Sequence, residues 1–229
     1  MDKSVLISIK PEHCLNICRE LKTLEFRKNI PKIDFPFRCF IYCSKSGKTT
    51  LKATKEKHRE YYLFKTTKKI SAYQYPYTEC EVLNGKVIGE FTCDYVLHNC
   101  QMQNADLAEQ QGMVKRERIF EYANGEEVLG WHISNLIIYD KPIELKDLVK
   151  TEYPHACDIG DDVCECCPYT NYGENSAAYP LPNGLTSCEQ VKCPEAYANY
   201  YSVHYSFSRP PQSWCYTAGT TKEIAAREV

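Results

Sequence analysis

The sequence predicts an α+β fold: a small mixed β-barrel with flanking helices and two insertions. Three observations predict it. Short strand patterns rich in β-branched and aromatic residues recur through residues 4–145 and return at 208–216. One early helical stripe follows the first strand, but strands and helices do not alternate regularly afterwards, as a doubly wound parallel sheet requires. Two stretches, 44–78 and 146–207, break the pattern by composition, and residues 217–229 read as a tail.

The elements follow in order. Ser4-Val5-Leu6-Ile7-Ser8-Ile9 reads as a strand, and Pro11 suits the first turn of a helix. Cys14, Ile17, Cys18 and Leu21 then fall at i, i+3, i+4 and i+7, one apolar stripe that places both cysteines in the core. Thr23 to Arg27 alternates, with Leu24 and Phe26 inward and Thr23, Glu25 and Arg27 on the opposite face. Arg38 to Cys43 is a third strand. Residues 44–78 are basic, aromatic and poorly periodic, and read as an insertion. The Asn84-Gly85 turn leads into a strand over Lys86 to Cys93. Residues 102–128 are mainly polar and partly helical. Trp131 to Tyr139 is another strand, ended by Asp140-Lys141-Pro142, and Trp214-Cys215-Tyr216 a last short one. Cys39, Cys43, Cys93 and Cys215 alternate within strands and read as buried cysteines.

Bulk properties narrow the class. The chain has 229 residues, 43% hydrophobic and 25% charged, which suits one decorated globular domain. No run of 18 apolar residues is present, so no membrane span is expected. The apolar start, Val5 to Ile9, is short for a secretory leader and is followed by Lys10-Pro11, which points to the cytoplasm. There, fourteen cysteines are buried fillers, metal ligands or reactive thiols rather than disulfides. Charge is unevenly spread. Residues 1–75 carry 17 Lys and Arg against 7 Asp and Glu, a net of +10, and the remainder carries −12. This suggests an anionic partner for the first third, or attraction between the two parts within the fold.

At this point the residues resemble a known family. Ser8-Ile9-Lys10-Pro11, the helix, and Leu21-Lys22-Thr23-Leu24-Glu25-Phe26-Arg27-Lys28 resemble the start of ASCH domains, with their Lys-Thr-x-Glu-x-Arg strand. Gly89-Glu90-Phe91-Thr92-Cys93 resembles a later barrel strand. Trp131-His132-Ile133-Ser134-Asn135-Leu136 with Tyr139-Asp140-Lys141-Pro142, and Arg209-Pro210-Pro211-Gln212-Ser213-Trp214, are similar to the late strand and closing motif of phage and Firmicutes-type members. The resemblance implies a PUA-like barrel with a cleft near the first helix and second strand. It implies RNA binding, and in some branches hydrolysis of acetylcytidine or of RNA.

The candidate site is Lys22, Thr23, Glu25 and Arg27, with Lys10 nearby. A lysine in a partly dry cleft acts as base or nucleophile, a carboxylate relays protons, and an arginine grips phosphate through paired hydrogen bonds. The bland alternative is a strand-face ion pair with Lys22 solvated. In acetylcytidine amidohydrolases the resemblance matches the catalytic lysine to Lys22. Where they have a threonine three residues later, this chain has Glu25. The resemblance leaves their catalytic glutamate to Glu90 or Glu109. His132 is a possible contact for a base or phosphate, or a satisfied histidine of the fold. Trp131 is a stacking surface for a base, or core.

The first insertion interleaves basic residues with Tyr61, Tyr62, Phe64, Tyr73, Tyr75 and Tyr77, a pattern that suits unpaired nucleic acid or a solvated loop. Ser44-Lys45-Ser46-Gly47-Lys48-Thr49-Thr50 ends like a phosphate-binding loop. The motif needs a glycine five residues before Gly47, where Tyr42 stands, so no ATP or GTP binding is expected. In the second insertion Cys164 and Cys167 enclose two residues and Cys188 and Cys193 four, a spacing that suits a tetrahedral zinc site. Cys157 and Cys166 are alternative ligands, and an iron–sulfur cluster an alternative occupant. The leading expectation is an RNA- or modified-nucleoside-binding protein. The rivals are a hydrolase of a modified pyrimidine nucleoside or of RNA, and a protein-interaction adaptor.

Overall fold

The structure is a computed structural model and describes residues 4–45, 48–55, 58–65, 79–150 and 206–223. The described chain divides into two units. The first is Ser4–Glu144 with Pro210–Cys215, and the second the described residues of Leu145–Arg209 and Tyr216–Val229.

Local chemistry sets the elements of the first unit. The β-branched run makes β1 (Ser4–Ile9), and Pro11, at the first helical position with its fixed φ, opens α1 (Pro11–Cys18). Then come β2 (Leu24–Arg27), β3 (Phe37–Cys43), β4 (Thr49–Thr54), β5 (Tyr61–Lys65), β6 (Cys80–Val82), β7 (Lys86–Cys93) and β8 (Val96–Leu97). The helices α2 (Ala105–Gly112) and α3 (Arg116–Ala123) precede β9 (Leu129–His132) and β10 (Ser134–Glu144). Gly85, at φ +86, lets the chain turn between β6 and β7.

Three sheets result. The main one runs β10-β7-β3-β1, a second β2-β9-β8, and a third β5-β4-β6. β1 and β3 are parallel, from Val5 opposite Cys39 to Ile9 opposite Cys43, and β7 is antiparallel to both β3 and β10. Val5, Leu6, Ile7, Phe40 and Ile41 are fully buried, so both faces of this central pair are covered, as its near-continuous apolar sequence requires. Cys14, Cys39, Cys43 and Cys93 are buried, whereas Cys18 and Cys215 are half-buried.

The architecture is mixed and dominated by sheet. Among the described residues the strands form separate sheets and close no barrel. Three further differences from expectation have local causes. The helical stripe stops at Cys18, and Leu21 is 52% exposed because the chain turns at Glu20, whose φ is +57. The single strand expected over Trp131–Tyr139 is two, broken at Ile133: β9 pairs with β2, and β10 crosses to β7. The first insertion contains strands. Leu51 and Ala53 alternate inward from β4, and α1 packs against β4 and β5.

In the second unit β11 (Leu148–Lys150) pairs with β12 (Trp214–Thr220), whose first two residues belong to the first unit. Leu148 faces Thr220 and Val149 faces Gly219, and the buried Thr217 hydroxyl donates to the Val149 carbonyl at 2.7 Å.

Candidate functional site

The site begins where α1 ends. Glu20 takes the left-handed conformation, and the backbone N–H groups of Leu21 and Lys22 both donate to the Asn16 carbonyl, at 2.9 and 3.2 Å. This turn throws Leu21 outward and carries Lys22 inward, to 2% exposure.

Lys22 meets the end of α2. Its Nζ donates to the Gly112 carbonyl at 2.8 Å, and the Thr23 N–H donates to the Gln111 carbonyl at 2.8 Å. A cation at a helix C-terminus satisfies orphan carbonyls and complements the helix dipole. Gly112 permits the approach: a Cβ there would lie 2.2 Å from the Phe26 ring, and Lys22 Nζ stands 4.8 Å from that ring's centroid.

From β2, Glu25 is 4% and Arg27 8% exposed. Glu25 Oε2 lies 3.3 Å from Lys22 Nζ, and Oε1 accepts from Arg27 Nη1. Arg27 also donates to the Phe26 carbonyl at 2.6 Å and to the Ser8 carbonyl at 2.7 Å. Ser8 in turn holds the closing segment, donating from Oγ to the Pro211 carbonyl at 2.7 Å and from its N–H to the Ser213 carbonyl at 2.8 Å. Trp131 on β9 is Glu25's ladder partner, so the two side chains share a face.

Electrostatics follow from burial. Desolvation pulls the Lys22 ammonium below its ordinary pKa, against the opposing pull of Glu25. For Glu25 burial is the largest single influence and pushes its pKa up, but Lys22, Arg27 and His13 together outweigh it and hold the carboxyl below its usual range. Half-buried His13 on α1 is lowered by burial, with Glu25 opposing. The cluster is thus a carboxylate between two cations, with an imidazole beside it.

The remaining sequence candidates lie elsewhere or serve otherwise. Lys10 is exposed, and its carbonyl receives the N–H groups of His13 and Cys14 at the start of α1. Thr23 is half-buried at the head of β2. Glu90 is engaged by Arg38 and by the Tyr139 hydroxyl, away from Lys22's partners. Trp131 is fully buried, 5.6 Å from Phe37 and 5.8 Å from Trp214 between ring centroids, so its ring offers no open face to a base. His132 pairs through Nδ1 with Asp94 at 2.6 Å and stacks on Tyr95 at 4.3 Å. Glu109 lies on α2. Cys164, Cys167, Cys188 and Cys193 fall outside the described residues, as do Ser46 and Gly47. Among the described residues no group of His, Cys, Asp and Glu side chains could hold a metal ion, and no helix is long and apolar enough to cross a membrane.

Sequence reasoning missed His13, Gln111 and Gly112. Two of these act here through backbone carbonyls, which carry no residue-type signature. His13 lies one position from the apolar stripe and was visible only as a helix residue.

No protein-family model matches the chain, and no curated protein matches it. Among solved structures it is similar to ASCH from Zymomonas mobilis, at 18% identity over 63% of this chain and 76% of that one, with a TM-score of 0.42. A mutant of the same protein aligns over 99% of this chain and 96% of that one, at 14% identity and a TM-score of 0.48. A second mutant gives 17% identity over 62% of this chain and 76% of that one, and 0.41.

Proposed function

We propose that the protein binds RNA or a modified nucleoside in a PUA-like, ASCH-type site beside Lys22, with the basic insertion 44–78 supporting a phosphate backbone. The observation that carries this reading is the burial of Lys22, Glu25 and Arg27, all at or below 8% exposure, on one short strand and the turn before it. Stripping three charges of water costs several kcal/mol per ion unless geometry compensates. A fold that needed only packing would place apolar residues there, so charges kept in this position are a mark of a working site. The net +10 of residues 1–75 and the resemblance of Lys22-Thr23-Leu24-Glu25-Phe26-Arg27 to the ASCH strand support the same reading.

Binding stands ahead of catalysis for a physical reason. A lysine acting as nucleophile or base must be neutral, and Lys22 Nζ is held by two acceptors, the Gly112 carbonyl and Glu25, which both favour the ammonium. Burial pulls the other way. That keeps the hydrolase reading as the rival: release of cytidine from acetylcytidine, or cleavage of RNA, lost in Lys22→Ala.

Fluorescence anisotropy with a labelled single-stranded RNA tests the leading reading. Affinity is expected to fall steeply with salt, by a logarithmic slope of about −0.7 per phosphate contacted. A flat salt response, or equal affinity in Lys22→Ala, sinks it. Cys164, Cys167, Cys188 and Cys193 are proposed to hold zinc. Elemental analysis of the purified chain is expected to find about one equivalent, lost in Cys164→Ser with Cys167→Ser. The same pair of variants tests the adaptor reading, since a partner docking on this segment would be lost with the metal.

A further inference from the structure

A second pair of titratable side chains stands apart from the Lys22 cluster. Asp94, in the link between β7 and β8, meets His132, the last residue of β9, where the chain passes between the main and second sheets. Asp94 Oδ1 lies 2.6 Å from His132 Nδ1. His132 follows Trp131, so by the two-residue period it lies on the face of β9 opposite Trp131 and its ladder partner Glu25.

The imidazole is fixed on one side and open on the other. Its Nδ1 meets the carboxylate, its face stacks on Tyr95 at 4.3 Å and 19°, and its backbone N–H donates to the Tyr95 carbonyl at 3.1 Å. Burial alone would raise the Asp94 pKa, but hydrogen bonds from His132 and from the Asp94 backbone outweigh it and hold the carboxyl below its usual range. An imidazole that donates from Nδ1 carries its lone pair on Nε2. That nitrogen makes no hydrogen bond among the described residues and is not one of their buried unpartnered atoms, so it opens to solvent. His98 makes a looser pair with Glu127, at 3.0 Å, with its side chain 66% exposed against 24% for His132.

The neighbouring nucleophiles are occupied. The Ser134 hydroxyl donates to the Thr92 carbonyl at 2.9 Å, and the buried Cys93 thiol donates to the Tyr95 carbonyl at 3.4 Å. Water is therefore the group the lone pair can activate. We propose that Asp94 and His132 form a general-base centre that hydrolyses small neutral esters, with His132 as the catalytic residue and Asp94 as the positioning residue. The partly exposed carboxylate disfavours phosphates and other anions, and the Tyr95 ring, 44% exposed, offers an apolar surface to an uncharged substrate. Nε2 takes a proton from water as the water oxygen bonds to the ester carbonyl carbon. The bond from that carbon to the alcohol oxygen then breaks, and the proton on Nε2 passes to the departing alcohol. An acid and an alcohol leave, and the imidazole is restored. This activity goes beyond RNA or nucleoside binding and does not depend on it.

Hydrolysis of 4-nitrophenyl acetate by the full chain, followed as released nitrophenolate, tests the centre. Many turnovers per chain are expected, at a rate that rises with pH as one group loses its proton. His132→Ala is expected to lower kcat/KM roughly a hundredfold, and added imidazole to restore part of the loss. Asp94→Asn is expected to lower kcat roughly tenfold or more with KM kept, because the ring loses its fixed tautomer. His98→Gln is expected to match the native chain, and 4-nitrophenyl phosphate not to be turned over. Thermal melts report the folding of each variant, and if His132→Ala unfolds, Asp94→Asn decides. No nitrophenolate above buffer, one equivalent without turnover, or turnover of the phosphate ester as fast as the acetate overturns the proposal. So does a rate unchanged in folded His132→Ala or Asp94→Asn, or lowered as much by His98→Gln.

Discussion

Two regions of the first unit are rich in charge and use it differently. Along β2 and its turn, Lys22, Glu25 and Arg27 are sealed, with Lys22 and Glu25 separated by 3.3 Å. At the end of β4 and the start of β6, Lys55 and Glu79 form a closer pair, 2.9 Å, with side chains 59% and 82% exposed. Distance alone would rank the surface pair first. Solvent reverses the ranking, because water screens the exposed pair while the buried one interacts through protein. In the buried cluster desolvation also pulls the Lys22 pKa down, and Glu25 Oε2 and Arg27 Nε have no hydrogen-bond partner among the described residues. Charge becomes chemistry where water is removed from it.

The comparison breaks most easily at Glu25. Glu25→Ala leaves two buried cations without their shared anion, and a loss of about 3–5 kcal/mol is expected, read as a lowered urea midpoint. Acid titration sharpens the point. The Glu25 carboxyl lies below its ordinary 4.5 in the folded chain, so the unfolded chain takes up the proton first. The stability it contributes is complete above about pH 4.5 and fades as pH falls through the folded value. Glu25→Gln is expected to flatten that part of the stability–pH curve. An unchanged curve would show that the carboxylate is not held as described.

A smaller loss is expected from Gly112→Ala. The added Cβ would sit 2.2 Å from Phe26 Cζ, so the ring or the helix end must shift, at about 1–3 kcal/mol. Phe26→Leu in the same chain makes room and is expected to recover part of this. If Gly112→Ala is neutral, α2 does not end against β2, and Lys22 loses the carbonyl that anchors it.

Much of this was legible from residue types alone. The period-two pattern of Thr23 to Arg27 located β2 and put Glu25 and Arg27 on one face, and the turn before it put Lys22 at the junction. The pattern did not reveal that this face is buried as well, because its neighbours there, Trp131 and Ser8, come from strands far apart in the chain. Trp131 was read as a stacking surface for a base or, as such residues more often are, as core, and the position of β9 makes it core. Glu90 shows the converse. Its place in a strand suggested a role in the cleft, and a neighbouring strand instead supplied Arg38 and another the Tyr139 hydroxyl. The Leu21 misreading came from extending a helical stripe past a turn that a glutamate, not a glycine, adopts.

The smallest expected effect is at the surface pair. Lys55→Ala and Glu79→Ala, alone and together, are expected to leave the urea midpoint unchanged within error and to show no coupling in a double-mutant cycle. The null result in stability is useful because the same lysine belongs to the basic insertion proposed to meet RNA. If it contacts a phosphate, Lys55→Ala reduces the salt slope of RNA binding by about 0.7. Glu79→Ala, which frees that lysine from its carboxylate, then strengthens binding. Coupling in the stability cycle would instead place this pair in a drier setting than 59% and 82% exposure describe, and the contrast between the two regions would lose its basis.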